Sequence, residues 1–210
     1  MKLDEIVKTN FSNLFEDNLL QEICNNGILK YAEPEKIILE IRREITFIPL
    51  IVSGIVKVVH RDGKGNGIFL HYLLENQTSA IAISYALENK KSEIRLESQS
   101  NITYIAIPSK VVDSWFLKFK SWRAFYFKLN RQQTSFLIET INDIAFTSLE
   151  NRLLKYLEYT SLISNNNTIS RKHFDIARDL KVSREAISRI LKKLEKEETI
   201  TLGRNKITLN

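Results

Sequence analysis

One stretch near the C-terminus, Lys172 to Glu197, places the strongest constraint on how this chain folds. Counted from His173, apolar residues fall at the fourth, fifth, eighth, tenth, fifteenth and eighteenth places, namely Ile176, Ala177, Leu180, Val182, Ile187 and Ile190. This spacing is typical of two short helices that cross closely, with the small Ala177 at the crossing and the other five residues in a shared core. It predicts a helix-turn-helix. Lys181 stands at the ninth place, where the turn needs a positive φ, at a cost of roughly 1 kcal/mol relative to glycine.

The second predicted helix carries a polar face whose chemistry suits a nucleic acid. Ser183 is a suitable N-cap for it. The residues on or beside this face are Arg184, Glu185, Ser188, Arg189, Lys192 and Lys193. Arginine can donate two hydrogen bonds to guanine O6 and N7, and glutamate can accept one from cytosine N4. We therefore predict base contacts by Arg184, Glu185, Ser188 and Arg189. Periodicity alone also fits an ordinary helical hairpin with a solvated charged face.

The segments Ser183 to Glu185 and Arg189 to Lys192 closely resemble the C-terminal DNA-binding domain of the Crp/Fnr family of bacterial transcription regulators. In that family the residues matching Arg184, Glu185 and Arg189 contact base edges. Leu202 to Ile207 looks like the family's wing, a β-hairpin turning at Gly203 to Asn205. The same residues also fit a surface hairpin that only closes the domain. The expected phosphate contacts are those of Lys172, Ser183, Lys192, Lys193, Arg204 and Lys206.

The distribution of charge agrees with a nucleic-acid partner. The net charge of the whole chain is +6, and all of that excess lies in residues 151–210. A local positive field of this kind is expected of a surface that displaces counterions from nucleic acid. A hydrophobic content of 43% and a charged content of 27% are typical of a globular protein. No stretch approaches the ~20 apolar residues that span a bilayer, and the N-terminus lacks an apolar signal core, so we expect a cytoplasmic location without membrane contact.

The N-terminal half changes from a helical to a strand pattern. Residues 1–27 fit one or two helices ending at Gly27. The β-rich runs that follow are 37–41, 46–52, 55–60, 68–73, 80–84, 94–96 and 102–107, separated by turns such as the glycine-rich segment 62–67. Short strands at this spacing indicate a sandwich or barrel. The region resembles the Crp/Fnr sensor, a double-stranded β-helix jelly roll of the cyclic-nucleotide-binding type, with Ser53 to Val58 matching a strand-turn-strand piece.

The resemblance to a cyclic-nucleotide sensor fails at the ligand-binding segment. Family members that bind a cyclic nucleotide carry a Gly-Glu pair and an Arg-Ser or Arg-Thr pair, whereas the corresponding segment, Ala80 to Ser98, contains no glycine. We therefore expect no ordinary cAMP binding, and the identity of the effector stays open. The candidate effector pocket is Lys90, Lys91, Ser92 and Arg95, which also fit a solvated loop. The Ser-x-Ile-Arg sequence from Ser92 is similar to that of a Bacteroidetes-like subgroup of the family.

No resident metal or other cofactor is expected. His60 and His71 could approach each other across a hairpin, but no carboxylate or thiolate stands at ligand spacing, and His173 is the one other histidine. Cys24 is the single cysteine, which excludes an internal disulfide and the iron–sulfur cluster of the oxygen-sensing branch of the family. The same scarcity of ligands argues against a rival function, that of a cupin-type metal-dependent enzyme.

A long helix without proline or glycine is predicted from Ser121 to about Phe146, after a short helix over 109–118. At alternating spacings of three and four it carries Phe127, Asn130, Thr134, Leu137, Ile141 and Ile144. Such spacing is typical of a heptad seam and predicts a parallel contact between two copies of the helix. Packing of the seam within the chain is the alternative. A second set can pack against the chain's own barrel and consists of Trp122, Phe125, Leu129, Phe136 and Thr140.

The predicted fold class is α+β, in three parts. These are a sensor jelly roll with N-terminal helices over 1–107, a short helix and the long dimerisation helix over 108–147, and a winged helix-turn-helix over 148–210. The predicted function is that of a homodimeric DNA-binding transcription regulator, not an enzyme, which reads a pseudo-palindromic site and senses an unknown small-molecule effector. The resemblance implies RNA polymerase as a further partner. A ligand-binding or oligomerisation module without DNA binding is the other alternative.

Overall fold

The computed structural model describes residues 2–61 and 67–210, without the side chains of residues 61, 67, 140 and 143–146. The chain groups into two compact units, one comprising residues 1–61 and 70–137 and the other built around residues 138–210. The glycine-rich turn predicted over 62–67 falls mainly outside the described residues, as do the side chains of Thr140 and Ile144. Within the described part of the chain, no helix is long and apolar enough to cross a membrane.

Two short helices begin the first unit, as the apolar spacing of residues 1–27 predicts. They are α1, Leu3–Phe11, and α2, Asp17–Asn26. Leu19 and Ile23 lie one turn apart on α2 and are fully buried, because residues four apart share a helix face. The backbone N–H of Gly27 donates to the carbonyl of Ile23 at 2.8 Å, and α2 ends there. The predicted stop at Gly27 is confirmed.

Within the described residues up to Pro108, seven strands form two sheets. They are β1 Ile28–Ala32, β2 Ile37–Leu39, β3 Phe47–Ser53, β4 Val56–Arg61, β5 Gly67–Leu73, β6 Ile94–Ser98 and β7 Ile102–Pro108. The strand order is β1-β7-β3 in one sheet and β2-β6-β4-β5 in the other. Both sheets contribute to a single core, for example through Leu96 of β6 and Ile105 of β7, which are fully buried. These sheets are the predicted jelly roll.

One segment predicted as a strand is helical. Residues 80–84 begin α3, Ala80–Leu87, whose N-cap Ser79 accepts a hydrogen bond from Ala82 N at 3.1 Å. An apolar run as short as Ala-Ile-Ala-Ile suits a buried helix or a strand, and periodicity does not separate the two. The serine cap, together with the burial of Ala80 and Ile83 three residues apart, favours the helix. The strand prediction for this segment is wrong.

The turn between β3 and β4 depends on a glycine. Gly54 has a φ of 87°, which residues with a side chain rarely adopt. A Cβ atom there would lie 2.4 Å from the carbonyl oxygen of Asn101 and 2.9 Å from Ser100 Oγ. The next residue is held at the same corner, because Ile55 N donates to Ser100 Oγ at 3.0 Å. The strand-turn-strand piece predicted over 53–58 is confirmed.

Two helices follow the last strand of the jelly roll, α4, Ser109–Lys118, and α5, Lys120–Phe146, as predicted. The inward side of α5 buries the first three members of the second set, Trp122, Phe125 and Leu129, in the core of the first unit. Trp122 packs edge-on against Trp115 of α4, with ring centroids 5.2 Å apart. This side of α5 therefore packs against its own chain.

Further along α5, one side chain bonds to two backbone groups of the first unit. Gln133 is buried, and its Nε2 donates to the carbonyl of Thr78 at 2.9 Å. Its Oε1 accepts from the backbone N–H of Ala80 at 3.1 Å. That N–H belongs to the first turn of α3, where helix donors have no partner inside the helix. The glutamine thus attaches α5 to the start of α3.

After the end of α5, the described residues of the second unit form three helices and a small sheet. Its elements are α6 Leu149–Ser164, β8 Thr168–Ile169, α7 His173–Leu180, α8 Arg184–Lys196, β9 Ile200–Gly203 and β10 Lys206–Leu209. The strand order is β8-β10-β9, with antiparallel pairing. Ile169 of β8 pairs with Ile207 of β10, and both are buried. Burial of this pair explains the short strand that the sequence does not predict.

Candidate nucleic-acid interface

The turn between α7 and α8 has the geometry that the spacing predicts. Lys181 has φ 58° and ψ 46°, the left-handed conformation, and its N–H donates to the carbonyl of Ala177. Val182 N donates to the same carbonyl at 3.0 Å. At the start of α8, Ser183 Oγ accepts from Ala186 N at 3.1 Å. Both the positive φ at Lys181 and the serine N-cap are therefore confirmed.

The predicted shared core of the two helices is also present. Ile176, Ala177 and Ile187 are buried, and Leu180, Val182 and Ile190 are partly buried beside them. Two contacts with α6 add to this core. Tyr156 donates its hydroxyl to Asp179 Oδ2 at 2.9 Å, and Arg152 donates to the carbonyl of Leu180 at 2.8 Å. These contacts fix α7 on α6, and they join residues too far apart in sequence for any spacing rule to pair.

Four charged side chains on α8 lie away from the core and are termed the outer face, namely Arg184, Glu185, Arg189 and Lys192. All four are exposed, whereas Ile187, Leu191 and Leu194 on the opposite side of the same helix are buried. The outer face carries three cations and one carboxylate within three turns of helix. It can therefore offer bidentate donors, an acceptor and a phosphate-binding ammonium on one surface.

Ser188, the remaining predicted base-contacting residue, is half-buried at the edge of the outer face. Its Oγ lies 2.9 Å from Nδ1 of His173, the first residue of α7. Burial, and then the positive charge of Arg184, lower the pKa of His173 from its ordinary value. From the sequence, His173 is only a potential metal ligand, and no local pattern predicts this contact.

The predicted phosphate-contacting residues are not equally available. Lys172, the N-cap residue of α7, and Lys192 are exposed. Lys193 Nζ instead lies 2.7 Å from Glu150 Oε2 of α6 and 3.7 Å from Glu197 Oε1. The hydrogen bond with Glu150 is the main cause that raises the pKa of Lys193. Lys193 is therefore shared between two carboxylates.

The C-terminal hairpin has the form predicted for a wing. β9 and β10 pair with Gly203 opposite Lys206, so that Arg204 and Asn205 form a two-residue turn. Asn205 has φ 57°, a conformation that asparagine tolerates better than most residues. Arg204 and Lys206 are exposed at the tip. The predicted hairpin is confirmed, and its contact with DNA stays a prediction.

The predicted seam of α5 is largely exposed in the single chain. Phe127 and Ile141 are 64% and 63% exposed, and Asn130 and Thr134 are exposed between them. Leu137 is half-buried, whereas Ile138, which the sequence reading leaves out, is 54% exposed. Ile144 belongs to the residues whose side chains are not described. The apolar seam face, defined from here on as Phe127, Thr134, Ile138 and Ile141, is thus exposed along α5.

The four residues of the candidate effector pocket are engaged within the chain. Arg95 makes two bonds with Glu40, at 2.9 and 2.6 Å, and Lys90 forms an ion pair with Glu88. The buried Ser92 donates its hydroxyl to the carbonyl of Ile94 at 2.7 Å, and the exposed Lys91 makes an isolated β-bridge with Glu44. Ser92 and Arg95 would therefore have to exchange their present hydrogen bonds to bind an anion. Their role in binding an effector stays a prediction.

A buried histidine lies under α5. His71 of β5 is 3% exposed, and its ring packs near Phe136, with centroids 6.3 Å apart. Among the described residues neither ring nitrogen has a hydrogen-bond partner. Burial lowers the pKa of His71 to about 4. Sequence reasoning treats His71 only as a metal ligand, because its burial depends on the packing of α5 and leaves no local signal.

Comparison with known proteins identifies solved structures with a similar architecture. No protein-family model and no curated protein matches the chain. Among solved structures, a protein from Eubacterium rectale assigned to the Crp/Fnr transcriptional regulators is 22% identical, with a TM-score of 0.82 over 94% of this chain and 92% of its own. The c-di-GMP-responsive global regulator CLP of Xanthomonas campestris is 13% identical, with a TM-score of 0.77 over 92% and 99%.

A third similar structure is a CRP-family transcriptional regulator from Thermus thermophilus. It is 18% identical, with a TM-score of 0.72 over 86% of this chain and 91% of its own. In each case the match extends over at least 86% of this chain and at least 91% of the other. The chain therefore has the fold of the transcriptional regulators of the Crp/Fnr family.

Proposed function

We propose that this chain is a homodimeric, sequence-specific DNA-binding transcription regulator. The observation that carries the proposal is the exposed outer face of α8, held by a capped and fully packed helix-turn-helix. An ordinary helical hairpin would also expose charge. However, it would not need two arginines and a glutamate on the first two turns of the second helix, which are the residues that read guanine and cytosine edges in the major groove.

The contacts divide into two kinds. Arg184, Glu185 and Arg189, with Ser188 beside them, would read base edges and specify sequence. The residues that would position the protein on phosphates are Lys172, Ser183, Lys192, Lys193, Arg204 and Lys206. Ser183 would donate the hydroxyl hydrogen that its role as N-cap acceptor leaves free. Lys193 would have to leave Glu150 to reach a phosphate, so we expect it to contribute least of the lysines.

The apolar seam face supports the homodimer. Three large apolar side chains, Phe127, Ile138 and Ile141, share one side of α5 and are more than half exposed in the single chain. Pairing two copies of α5 through this face would remove these side chains from water. The two α8 helices of such a dimer would enter successive major grooves about 34 Å apart, on a pseudo-palindromic site.

Regulation belongs to the same proposal. The chain would divide at residues 107 and 147 into three parts, of which the jelly roll is the sensor. An effector or partner bound to the jelly roll would change the spacing of the two α8 helices through the region near Phe146. We expect no ordinary cAMP binding, because the segment from Ala80 to Ser98 has no glycine. Arg95 would bind an anionic effector only after release from Glu40. We further propose that the protein contacts RNA polymerase, acts in the cytoplasm and belongs to the Bacteroidetes-like subgroup.

Selection from a pool of random duplexes by the purified protein, without added ligand, tests this function. A two-fold symmetric motif is expected in the bound fraction. Arg189→Ala should then lose about 1–3 kcal/mol on the selected site and relax one base position, whereas Lys192→Ala should weaken binding to all sequences and reduce the salt slope by about 1. A folded protein without salt-dependent affinity for any duplex, with or without cell extract as a source of effector, would overturn the proposal.

A further inference from the structure

We propose that His173 is a positioning residue that determines whether Ser188 donates or accepts a hydrogen bond at a base edge, and thereby sets the base preferred at that position. The inference rests on the proposed function. Its structural basis is the 2.9 Å contact between His173 Nδ1 and Ser188 Oγ, which joins the first residue of α7 to a predicted base reader on α8. A serine hydroxyl has one proton to donate, so the role of Nδ1 decides where that proton points.

Two arrangements of the pair have opposite consequences for a base. When the neutral ring of His173 carries its proton on Nε2, Nδ1 accepts the hydroxyl proton of Ser188. The serine oxygen then offers only lone pairs, which suit the N4 amino group of cytosine or the N6 amino group of adenine. When Nδ1 carries a proton, in the other tautomer or in the imidazolium, it donates to Oγ. The serine proton is then free for guanine O6 or N7, adenine N7 or thymine O4.

The charges around His173 make its protonation sensitive to DNA. Partial burial of the ring disfavours the imidazolium, as does the positive charge of Arg184 on α8. On its own helix the charged neighbours are Lys172, at the N-cap, and Asp175, which pairs with Arg178 at 3.3 Å. Phosphates beside the start of α7 would favour the imidazolium, because they add negative charge near the ring. Acidification should therefore shift bound Ser188 towards the donor arrangement.

The experiment is the same duplex selection, repeated at pH 6 and pH 8 with four proteins. These are the unaltered chain, Ser188→Ala, His173→Asn and Lys192→Ala. In the unaltered chain one base position should change its preference about five-fold between the two pH values, towards bases with an acceptor edge at pH 6. Ser188→Ala should lose the preference at that same position. His173→Asn keeps a polar group in the place of Nδ1 but does not titrate, so its preference there should be the same at both pH values.

Lys192→Ala is the control, because a lost phosphate contact lowers affinity without changing the preferred base. Two outcomes would overturn the role of His173 and leave the proposed function standing. In the first, the unaltered chain selects a symmetric motif that is identical at both pH values. In the second, His173→Asn and Ser188→Ala alter the base preference at different positions of the motif. A failure to enrich any motif, with or without cell extract, would overturn both. A pH effect that persists in His173→Asn would assign the titration to another group and also overturn the inference.

Discussion

Lowering the pH from 8 to 5 should destabilise the first unit through a single side chain, His71. Burial lowers its pKa from an ordinary 6.5 to about 4 in the folded chain. A group whose folded pKa is depressed in this way is neutral in the native state, and the unfolded chain binds the proton first. Above pH 6.5 the histidine therefore does not lower the free energy of unfolding. That free energy falls as the pH drops from 6.5 towards 4.

The size of the effect follows from the same two values. At pH 5 the unfolded histidine is almost fully protonated and the folded one is almost fully neutral, so linkage gives a loss of about 2 kcal/mol relative to pH 8. Below pH 4 the loss levels off at about 3 kcal/mol. Replacement of His71 by phenylalanine removes this pH-dependent loss of unfolding free energy. It also removes two buried ring nitrogens that have no hydrogen-bond partner among the described residues.

Urea denaturation followed by tryptophan fluorescence measures this loss where it occurs, because both Trp115 and Trp122 lie in the core of the first unit. His71→Phe should lose about 2 kcal/mol less than the unaltered chain between pH 8 and pH 5. His60→Gln, on neighbouring strand β4 and only partly buried, is the control and should retain the full pH dependence. His71→Leu gives a second measurement if the phenylalanine packs poorly. Equal losses in His71→Phe, His71→Leu and the unaltered chain would refute the reasoning.

Three further predictions follow from the backbone and the exposed surface. Lys181→Gly should stabilise the second unit by about 1 kcal/mol in denaturation followed by circular dichroism, since it relieves a left-handed conformation, and equal stability would mean that no strain is stored there. Gly54→Ala should destabilise the first unit by about 3 kcal/mol through its positive φ and the close carbonyl of Asn101, and a fluorescence midpoint within error of the unaltered chain would contradict this. If the proposed homodimer forms through the apolar seam face, Ile138→Asp should convert it to a monomer in size-exclusion chromatography with light scattering, while Leu117→Asp, at an 85% exposed position on α4, should leave it dimeric. A dimer that survives Ile138→Asp would place the interface elsewhere.

The elements that the sequence predicts correctly are those whose signal is local. The helix-turn-helix follows from apolar positions that repeat within about twenty residues, and the N-cap at Ser183 and the positive φ at Lys181 follow from their places in that repeat. The hairpin at Arg204 and Asn205 is equally local. Segment 80–84 is also local, but its run is too short to separate a helix from a strand until Ser79 is seen to cap it.

The residues assigned to the seam of α5 depend on the period used to count along the helix. A heptad reading selects Leu137, but eleven residues complete about three turns of an α-helix, so Ile138 lies almost directly below Phe127. The structure accordingly leaves Ile138 more than half exposed and Leu137 half-buried. A straight helix follows the eleven-residue spacing, and only supercoiling with a partner would restore the strict heptad.

The contacts that the sequence does not reveal are tertiary. Arg95 is paired with a glutamate 55 residues away, and Ser188 with a histidine 15 residues away on another helix. The sequence indicates each of these side chains through its chemistry as a free group, and no spacing rule predicts the neighbour that bonds to it. The burial of His71 has the same origin, since it depends on the packing of α5 against β5.

The bond pair made by Gln133 has a consequence for which amino acids this position can accept. The side chain must donate to one backbone carbonyl and accept from one backbone N–H at the same time, at the reach of two methylene groups. Glutamate lacks the donor, lysine lacks the acceptor, and asparagine is one carbon too short. Among the straight-chain side chains of this length, glutamine alone combines the donor and the acceptor. Relatives that keep this attachment of α5 to α3 should therefore keep the residue even where the surrounding sequence has diverged.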